Sequence, residues 1–277
     1  MGADMSGTSG RDAHPSSGGG DPHEVDDRNT PATDSARNPV FLGVGQLCET
    51  AVRLSGVDGA AVALLTRKSR VRDLVYATDA ISQQIDELQF TLGEGPCLDA
   101  FYNRAPHLVP DLRDRSALER WPVFSGEAFA VGARAVFAFP VVEGGHPLGV
   151  LELYRRTEGE LETSAHTAAI TIANTAGLTV RRNWDEYLTS VDDAAHDPDT
   201  AAEGLLPSPL DAPDEFSRSQ VYLASGMVAV QLAIPASEAL DRLRAFSYQH
   251  GRSIKDVADQ IVARRLTLRD TDELEGR

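Results

Sequence analysis

Residues 221–266 read VYLASGMVAVQLAIPASEALDRLRAFSYQHGRSIKDVADQIVARRL, and this stretch decides the fold of the C-terminal part of the chain. Apolar residues recur there at helical spacing in three successive segments. Pro235 separates the first two, because proline suits the first turn of a helix better than its interior. Gly251 ends the second segment, and Ser253 with Asp256 forms an acidic variant of the capping box that opens the third. We therefore predict three short helices, a module so small that it should lean on a partner.

The charge of this module is opposite to that of the whole chain. The 277 residues carry a net charge of −16, which disfavours a protein that coats nucleic acid along its length. Between residues 216 and 269, eight basic residues stand against four acidic ones, a net charge of +4. The preceding residues 189–215 hold eight acidic residues and no Lys or Arg, so we predict an extended, flexible linker. A basic module in an acidic chain indicates an anionic partner.

Composition also limits the compartment and the remaining segments. Residues 1–38 are rich in Gly, Ser, Asp and Pro and nearly lack large apolar side chains, so we expect a disordered tail. Residues 270–277 form a second, short tail. The chain shows no apolar signal segment and no membrane-length apolar run, and its two cysteines make neither a disulfide framework nor a metal site. These features predict a cytoplasmic protein with no membrane partner.

Residues 39–188 mix both secondary-structure patterns. The first predicted helix has Leu42, Leu47, Ala51 and Leu54 on its apolar stripe and stops at Gly56. Further helices are predicted at 80–90, within 91–106, at 121–131 and at 166–188, and strands at 59–65, 71–79, 107–112, 133–142 and 148–156. The Gly-Gly pair at 144–145 is a strong hairpin signal. The order predicts an α+β domain whose antiparallel sheet has helices packed on one side.

Three motifs of this region carry a family resemblance. Residues 88–101 read LQFTLGEGPCLDAF, and VFAFPV is followed by a Gly-Gly hairpin and PLGVLELY. Together they resemble a GAF domain over roughly residues 40–188, in the form found in actinobacterial regulators. The resemblance implies a central antiparallel sheet with a small-molecule pocket on one face. It implies no fixed ligand, so we expect no cofactor and leave a small-molecule ligand open. Candidate pocket residues are Asp79, Glu94, Cys97 and Asp99.

The C-terminal module resembles the ANTAR domain, an RNA-binding antitermination module. The motifs that carry this resemblance are ASGMV, EALDRLR, and DVA with IV after it, in order over residues 216–269. The chain departs from the usual pattern at two places. MVAVQLAI lacks a basic residue that many relatives carry, and Phe246-Ser247-Tyr248 replaces an alanine-centred turn.

The RNA-binding hypothesis rests on basic, aromatic and small residues of the module. Arginine offers phosphate a planar fork, although the alternative is a solvated helix face. A glycine or alanine within a helix allows close approach either of RNA or of a neighbouring helix. Aromatic rings stack on unpaired bases or pack in a core. The resemblance favours Arg244 as the central contact, and the full candidate set is Arg218, Tyr222, Ala224, Gly226, Arg244, Tyr248, Arg252 and Lys255.

The cysteines support an alternative function. Cys97, beside a Gly-rich loop and a helix start, is either a thiol with a lowered pKa or a small buried apolar residue. Cys48, inside a helix, is assigned to the core. The GEG loop lacks the Lys of a phosphate-binding loop, and no catalytic constellation of side chains is recognisable.

The leading hypothesis is a two-domain regulator, expected to be a homodimer. Its GAF domain senses a small ligand or redox signal, and its ANTAR domain binds hairpins in leader RNA, so that RNA polymerase is affected through the transcript. The helix at 166–188 is the expected route between the domains. The alternatives are a GAF-type thiol enzyme or sensor that uses Cys97, and a DNA-binding helix-turn-helix with residues 253–266 as reader.

Overall fold

The structure is a computed structural model and describes residues 38–65, 72–195 and 218–268. A short 3₁₀ helix, Pro39–Phe41, precedes the first α-helix. The helices are α1 Val44–Ser55, α2 Ala80–Leu92, α3 Pro96–Asn103, α4 Arg115–Arg120, α5 Pro122–Ala130, α6 Thr163–Ala195, α7 Ser219–Leu232, α8 Ala236–Gln249 and α9 Ile254–Val262; the strands are β1 Gly59–Leu65, β2 Arg72–Ala77, β3 His107–Val109, β4 Ala135–Glu143 and β5 His146–Arg155. This content confirms the α+β class.

The sheet is antiparallel throughout, with the strand order β2-β1-β5-β4-β3. Strands β4 and β5 form the predicted hairpin, in which Glu143 pairs with His146. Gly144 and Gly145 both have positive φ, 55° and 79°, which the two-residue hairpin turn requires. Strand β2 lies at one edge of the sheet, where its outer side is open to another part of the chain.

Helices cover both faces of the sheet, so the prediction that they pack on one side is wrong. Along β5, Leu151 and Leu153 face α1 and α6, whereas the alternate residues Val150, Glu152 and Tyr154 face the side of α2–α5. Successive strand residues point to opposite faces, and here both sets are buried. Strands that are apolar on both faces need two covering layers.

Two helices differ from the sequence prediction in extent or in the face that they bury, and a third was not predicted. The buried stripe of α1 is Val44, Cys48, Ala51 and Ser55, while Leu42 and Leu54 are exposed. The polar stretch before Trp121 forms α4, which periodicity had not indicated. Helix α6 extends to Ala195, seven residues into the predicted linker, because no Gly or Pro interrupts the chain between Gly177 and Pro198.

The C-terminal module consists of the three predicted helices. The turn between α7 and α8 has Ala233 in the left-handed conformation just before Pro235. Gly251 takes the same conformation after α8, and the Ser253 hydroxyl oxygen accepts a hydrogen bond from the Lys255 amide at 3.2 Å to open α9. Side chains that are buried between these helices form one core: Val221, Ala224, Val228, Ala239, Leu240, Leu243, Ile254, Val257, Ala258 and Ile261.

Several predictions fall on residues that the structure does not describe. These are the N-terminal tail up to residue 37, residues 196–217 of the linker region, and the C-terminal tail from residue 269. Within the described ranges, no single helix has the length and apolar composition to cross a membrane. Helices α7 and α8 meet the two criteria only when they are taken together, as a pair that is bent by 108°.

Candidate nucleic-acid interface

Arg218, a predicted RNA contact, is buried against the sheet domain. It directly precedes α7 and is only 6% exposed. Its Nη2 atom donates to Asp86 Oδ2 at 2.5 Å and to Glu87 Oε2 at 3.1 Å, both on α2. Its Nη1 atom donates to the Arg72 carbonyl oxygen at 3.2 Å. A cation at the N-terminus of a helix is repelled by the positive end of the helix dipole. The two carboxylates offset this repulsion at Arg218.

Tyr222, one turn further along α7, bonds to the open edge of β2. Its hydroxyl oxygen accepts from the Arg72 amide at 2.6 Å and donates to the Arg72 carbonyl at 2.8 Å. Burial raises the pKa of Tyr222 to about 12. At Arg72, the first residue of the edge strand, a side chain of the C-terminal module thus satisfies both backbone groups.

Arg244, the favoured central RNA contact, also faces α2. Its Nε atom donates to the Phe90 carbonyl oxygen at 2.8 Å, and its Nη1 atom lies 3.0 Å from Asp241 Oδ1. Gly93 ends α2 with φ 71°, and a Cβ atom at that position would lie 3.4 Å from Arg244 Nη1. Glycine therefore serves both the left-handed helix end and the close approach of the arginine.

Phe90 joins these three residues into one contact. Although Phe90 belongs to α2, it is fully buried within the core of the C-terminal module. The Arg218 guanidinium carbon lies 3.8 Å from its ring centroid, the Arg244 carbon lies 5.3 Å away, and the Tyr222 ring meets it edge-on at 6.2 Å. We call Arg218, Tyr222 and Arg244 the docked set.

Asp86 holds two guanidinium groups at the centre of this contact. One carboxylate oxygen binds Arg72 and the other binds Arg218. Burial alone would raise the pKa of Asp86, but the two arginines outweigh it and hold the pKa below its ordinary value. The carboxylate is therefore ionised at neutral pH and makes charge-assisted hydrogen bonds.

A second buried polar group lies beneath α2. Gln89 Nε2 donates to Glu152 Oε2 at 2.6 Å, and Gln89 Oε1 accepts from the Cys97 amide at 2.8 Å. Burial raises the pKa of Glu152 to about 7, despite the opposing charge of Arg72. Two buried nitrogens of Arg72, Nε and Nη1, have no hydrogen-bond partner among the residues described. Helix α2 therefore connects the interior of the sheet domain with the docked set.

The other predicted RNA residues are distributed differently. Ala224 is fully buried in the module core, so its side chain is withdrawn from the candidate contacts as a correction. Tyr248 and Lys255 are exposed and Arg252 is partly exposed. No heavy atom of the described residues lies within 4 Å of a Cβ built on Gly226, which removes close helix packing as the reason for that glycine.

A second group of cations is available to an outside partner. Across the described residues, no carboxylate pairs with four cations that we call the unpaired set: Arg252, Lys255, Arg264 and Arg265. The last two follow α9, where Arg264 has φ 57° in the left-handed region that is uncommon for a residue with a side chain. Neither was in the predicted contact set.

Three acidic residues predicted for a ligand pocket bind other parts of the sheet domain instead. Asp79 Oδ1 caps α2 through the amides of Ile81 and Ser82. Glu94 accepts from the amides of Val123 and Phe124, and Asp99 binds Arg120 at 2.6 Å and the Trp121 indole N–H at 3.1 Å; these bonds hold α2 and α3 against α4 and α5. The structure thus gives all three a helix-positioning contact.

The cysteines are both buried, which contradicts a lowered pKa at Cys97. Burial raises the pKa of Cys97 and of Cys48 above the ordinary thiol value. The thiolate is the reactive form, so a buried neutral thiol does not suit a thiol enzyme. The assignment of Cys48 to the core is confirmed.

Sequence reasoning missed the residues of α2 that hold the docked set. Asp86 and Phe90 are four residues apart and therefore lie on one helix face, with Glu87 beside them. A cleft of about 400 Å³ borders the contact, between α2 and the starts of α7 and α9. The sequence signal that could have predicted this contact is the acidic and aromatic face of α2, which complements the basic C-terminal module.

Comparisons with known protein families agree with both resemblances. A family model described as GAF domain matches residues 44–181, and a model described as ANTAR domain matches residues 217–262. A comparison with curated proteins finds no match. The resemblances to a GAF domain and to an ANTAR domain are thereby confirmed, and the actinobacterial form of the GAF domain stays a prediction.

Solved structures that resemble the chain cover about half of it. A GAF domain/HD domain protein from Geobacter sulfurreducens shares 14% identity, with 54% of this chain and 97% of that chain covered and a TM-score of 0.42. The GAF domain of Acinetobacter phosphoenolpyruvate-protein phosphotransferase shares 11%, with 53% and 89% covered and a TM-score of 0.41. The type II free methionine-R-sulfoxide reductase from Thermoplasma acidophilum shares 13%, with 52% and 93% covered and a TM-score of 0.39.

Proposed function

We propose that this chain, which carries a GAF domain followed by an ANTAR domain, binds hairpins in nascent leader RNA and acts by transcription antitermination. The pairing of these two domains indicates a sensor-regulator. In the proposed mechanism, the bound protein stabilises an antiterminator hairpin at the expense of a terminator, so that RNA polymerase continues. The polymerase is therefore affected through the transcript.

The observation that carries this proposal is the unpaired set on the ANTAR domain. Four cations without a carboxylate partner in the described ranges lie within one short module of a chain whose net charge is −16. Phosphate groups attract such cations and release counterions when they bind. Tyr248 is 53% exposed and supplies a ring on which an unpaired loop base can stack. Hairpin loops offer both phosphates and unstacked bases.

The proposal includes a cytoplasmic homodimer whose GAF domain senses a small, unidentified ligand. Exposed apolar side chains on α6, among them Leu178 at 63% and Leu188 at 46%, support a second copy as the partner of that helix. The described contact between GAF and ANTAR domains runs through β2 and α2. We therefore assign the signal route to α2 in place of α6.

An RNA-binding measurement on the full chain tests the proposal. The probe is a labelled RNA pool with two adjacent stem–loops whose loop bases are randomised, and the competitor is duplex DNA of equal length. We expect RNA to be preferred, and we expect the logarithm of the binding constant to fall linearly with the logarithm of salt concentration. A preference for duplex DNA would favour the helix-turn-helix alternative. Salt-independent or absent binding would contradict a nucleic-acid function.

A further inference from the structure

The GAF helix α2 occupies three of the side chains that the ANTAR resemblance predicts as RNA contacts. Arg218, Tyr222 and Arg244 all contact β2 or α2 through hydrogen bonds of 2.5–3.2 Å. Phe90 fills the core of the ANTAR domain between them. The contact is therefore a built surface with an aromatic anchor, two arginines over its ring and carboxylates beside them.

The chemistry of α2 resembles that of the RNA it displaces. Asp86 and Glu87 present anionic oxygens to the Arg218 guanidinium, as phosphates would. Phe90 presents a ring face to the same guanidinium at 3.8 Å, as a base would. A guanidinium group held on both its edge and its face by α2 has little capacity left for a second anion and a second ring.

We propose that α2 is an intramolecular competitor of RNA, so that the docked ANTAR domain is the low-affinity form of the protein. This inference rests on the proposed function and adds its regulation. Docking and RNA binding by the docked set exclude each other, because both need the same atoms of Arg218, Tyr222 and Arg244. The contribution of the docked set to RNA affinity is therefore reduced in proportion to the undocked fraction.

The unpaired set gives this competition an order of events. Arg252, Lys255, Arg264 and Arg265 stay available while α2 is docked, so RNA first meets these cations. Lys255 also lines the cleft beside Arg218 and Glu87, where RNA that is held by the unpaired set reaches the edge of the contact. Release of α2 then adds the docked set to the RNA contact.

The test uses two full-length variants on the GAF side, which leave every proposed RNA contact intact. Glu87→Lys places a cation against Arg218 at a position that is 46% exposed, so the fold tolerates the change. Glu127→Lys, at an exposed position of α5, adds the same charge away from the contact and serves as the matched control. The probe is the stem–loop RNA pool. We expect Glu87→Lys to bind RNA about threefold to tenfold more tightly than Glu127→Lys.

A second variant and a second readout complete the test. Phe90→Leu removes the ring that the docked set contacts but keeps an apolar side chain in the core of the ANTAR domain. We expect this variant to bind RNA at least about threefold more tightly than the Glu127→Lys control. Hydrogen exchange over residues 219–232 reports docking without RNA and should be faster in both contact variants. RNA affinities equal to the control, in variants whose exchange shows release, would overturn the competition. If no form of the protein binds RNA, the proposed function itself fails, while the exchange still measures docking.

Discussion

Two groups of residues in the ANTAR domain carry the same chemistry and stand in opposite environments. The docked set is held by carboxylates, a backbone edge and the Phe90 ring, whereas the unpaired set has no ion pair with any residue that the structure describes. On the sequence, both groups belong to one short basic module, and the RNA contacts predicted among them were Arg218, Tyr222, Arg244, Arg252 and Lys255. The difference teaches that contact with α2, and not residue type, decides which of these side chains are covered.

The difference also explains how a very small helical module is stabilised. Three short helices bury little apolar surface, and the sequence predicted that they would lean on a partner. Phe90 provides that support from within the same chain, because it is fully buried among Val221, Leu243, Ile254 and their neighbours. A contact that supports the core and covers the docked set couples stability to RNA access.

The largest effect on the free energy of unfolding is expected for a substitution of Asp86, which holds Arg218 of the docked set. Asp86→Ala leaves the guanidinium groups of Arg72 and Arg218 buried without their shared carboxylate. Removal of one partner from a buried ion pair typically costs about 3–5 kcal/mol. Urea unfolding of the full chain at neutral pH measures this loss in the free energy of unfolding.

The matched control for Asp86 is Asp185→Ala on α6. Asp185 pairs with Arg181 at 3.0 Å, and both side chains are more than half exposed. Such surface pairs contribute less than about 0.5 kcal/mol. Equal losses in the free energy of unfolding for the two substitutions would mean that the buried ion pair stabilises the protein no more than a surface pair does.

A pH-dependent effect comes next and concerns the group beneath α2. Burial raises the folded pKa of Glu152 to about 7 from its ordinary value of 4.5. Its stabilisation is therefore fully present below the unfolded pKa and is lost as pH rises through the folded pKa. We expect the wild type to lose on the order of 3 kcal/mol of unfolding free energy from this group between pH 4.5 and pH 8.

Glu152→Gln isolates that effect. The amide keeps an acceptor for Gln89 and carries no proton to lose, while the charged neighbours Arg72 on β2 and Asp86 on α2 stay in place. We expect the variant to be the more stable protein at pH 8 and to show a flatter profile between pH 5 and pH 8, measured by urea unfolding at several pH values. A profile as steep as that of the wild type would assign the dependence to another group.

A smaller effect, on RNA affinity, is expected for a substitution in the unpaired set. Lys255→Gln removes one exposed cation, and we expect RNA binding to weaken about threefold to fivefold and the salt slope to decrease by about one. Arg115→Gln on α4, whose side chain is 91% exposed, changes the charge equally in the GAF domain and should leave RNA binding unchanged. Fluorescence anisotropy over a salt series measures both. Equal weakening would indicate a general charge effect.

The smallest effect concerns Gly226, which belongs to neither set. Helix α7 has open space around this residue, so Gly226→Ala should stabilise the full chain by about 0.5–1 kcal/mol through helix propensity. Thermal unfolding measures that gain. If RNA approaches the backbone closely there, the same variant binds RNA more weakly, and unchanged RNA affinity would remove Gly226 from the candidate contacts.

The fold was largely predictable from the sequence because its signals are local. The three ANTAR helices have clear start and stop residues, and the Gly-Gly hairpin fixes the pairing of β4 with β5. The one-sided helix layer was wrong because alternation along a strand does not tell which apolar face is covered. The end of α6 was missed because acidic residues were taken as linker, although they continue a helix without Gly or Pro.

The candidate site was predictable as chemistry but not as environment. Basic and aromatic residues marked the ANTAR domain, yet nothing local in the chain indicates that Arg218 reaches Asp86, 132 residues away in sequence. Cys97 sits near a helix start, which suggested a reactive thiol, but burial raises its pKa. Long-range contacts of this kind follow from tertiary packing, which periodicity and motif spacing do not contain.

The competition between α2 and RNA is tested most directly at the Phe90 ring. Full-length protein with carbon-13-labelled phenylalanine gives ring signals by NMR, and a Phe90→Leu variant assigns the signal of Phe90. As the stem–loop RNA pool saturates the protein, the account predicts that the Phe90 signal moves from its buried position between Arg218 and Tyr222 to that of a released ring. RNA saturation with an unchanged Phe90 signal would contradict the account.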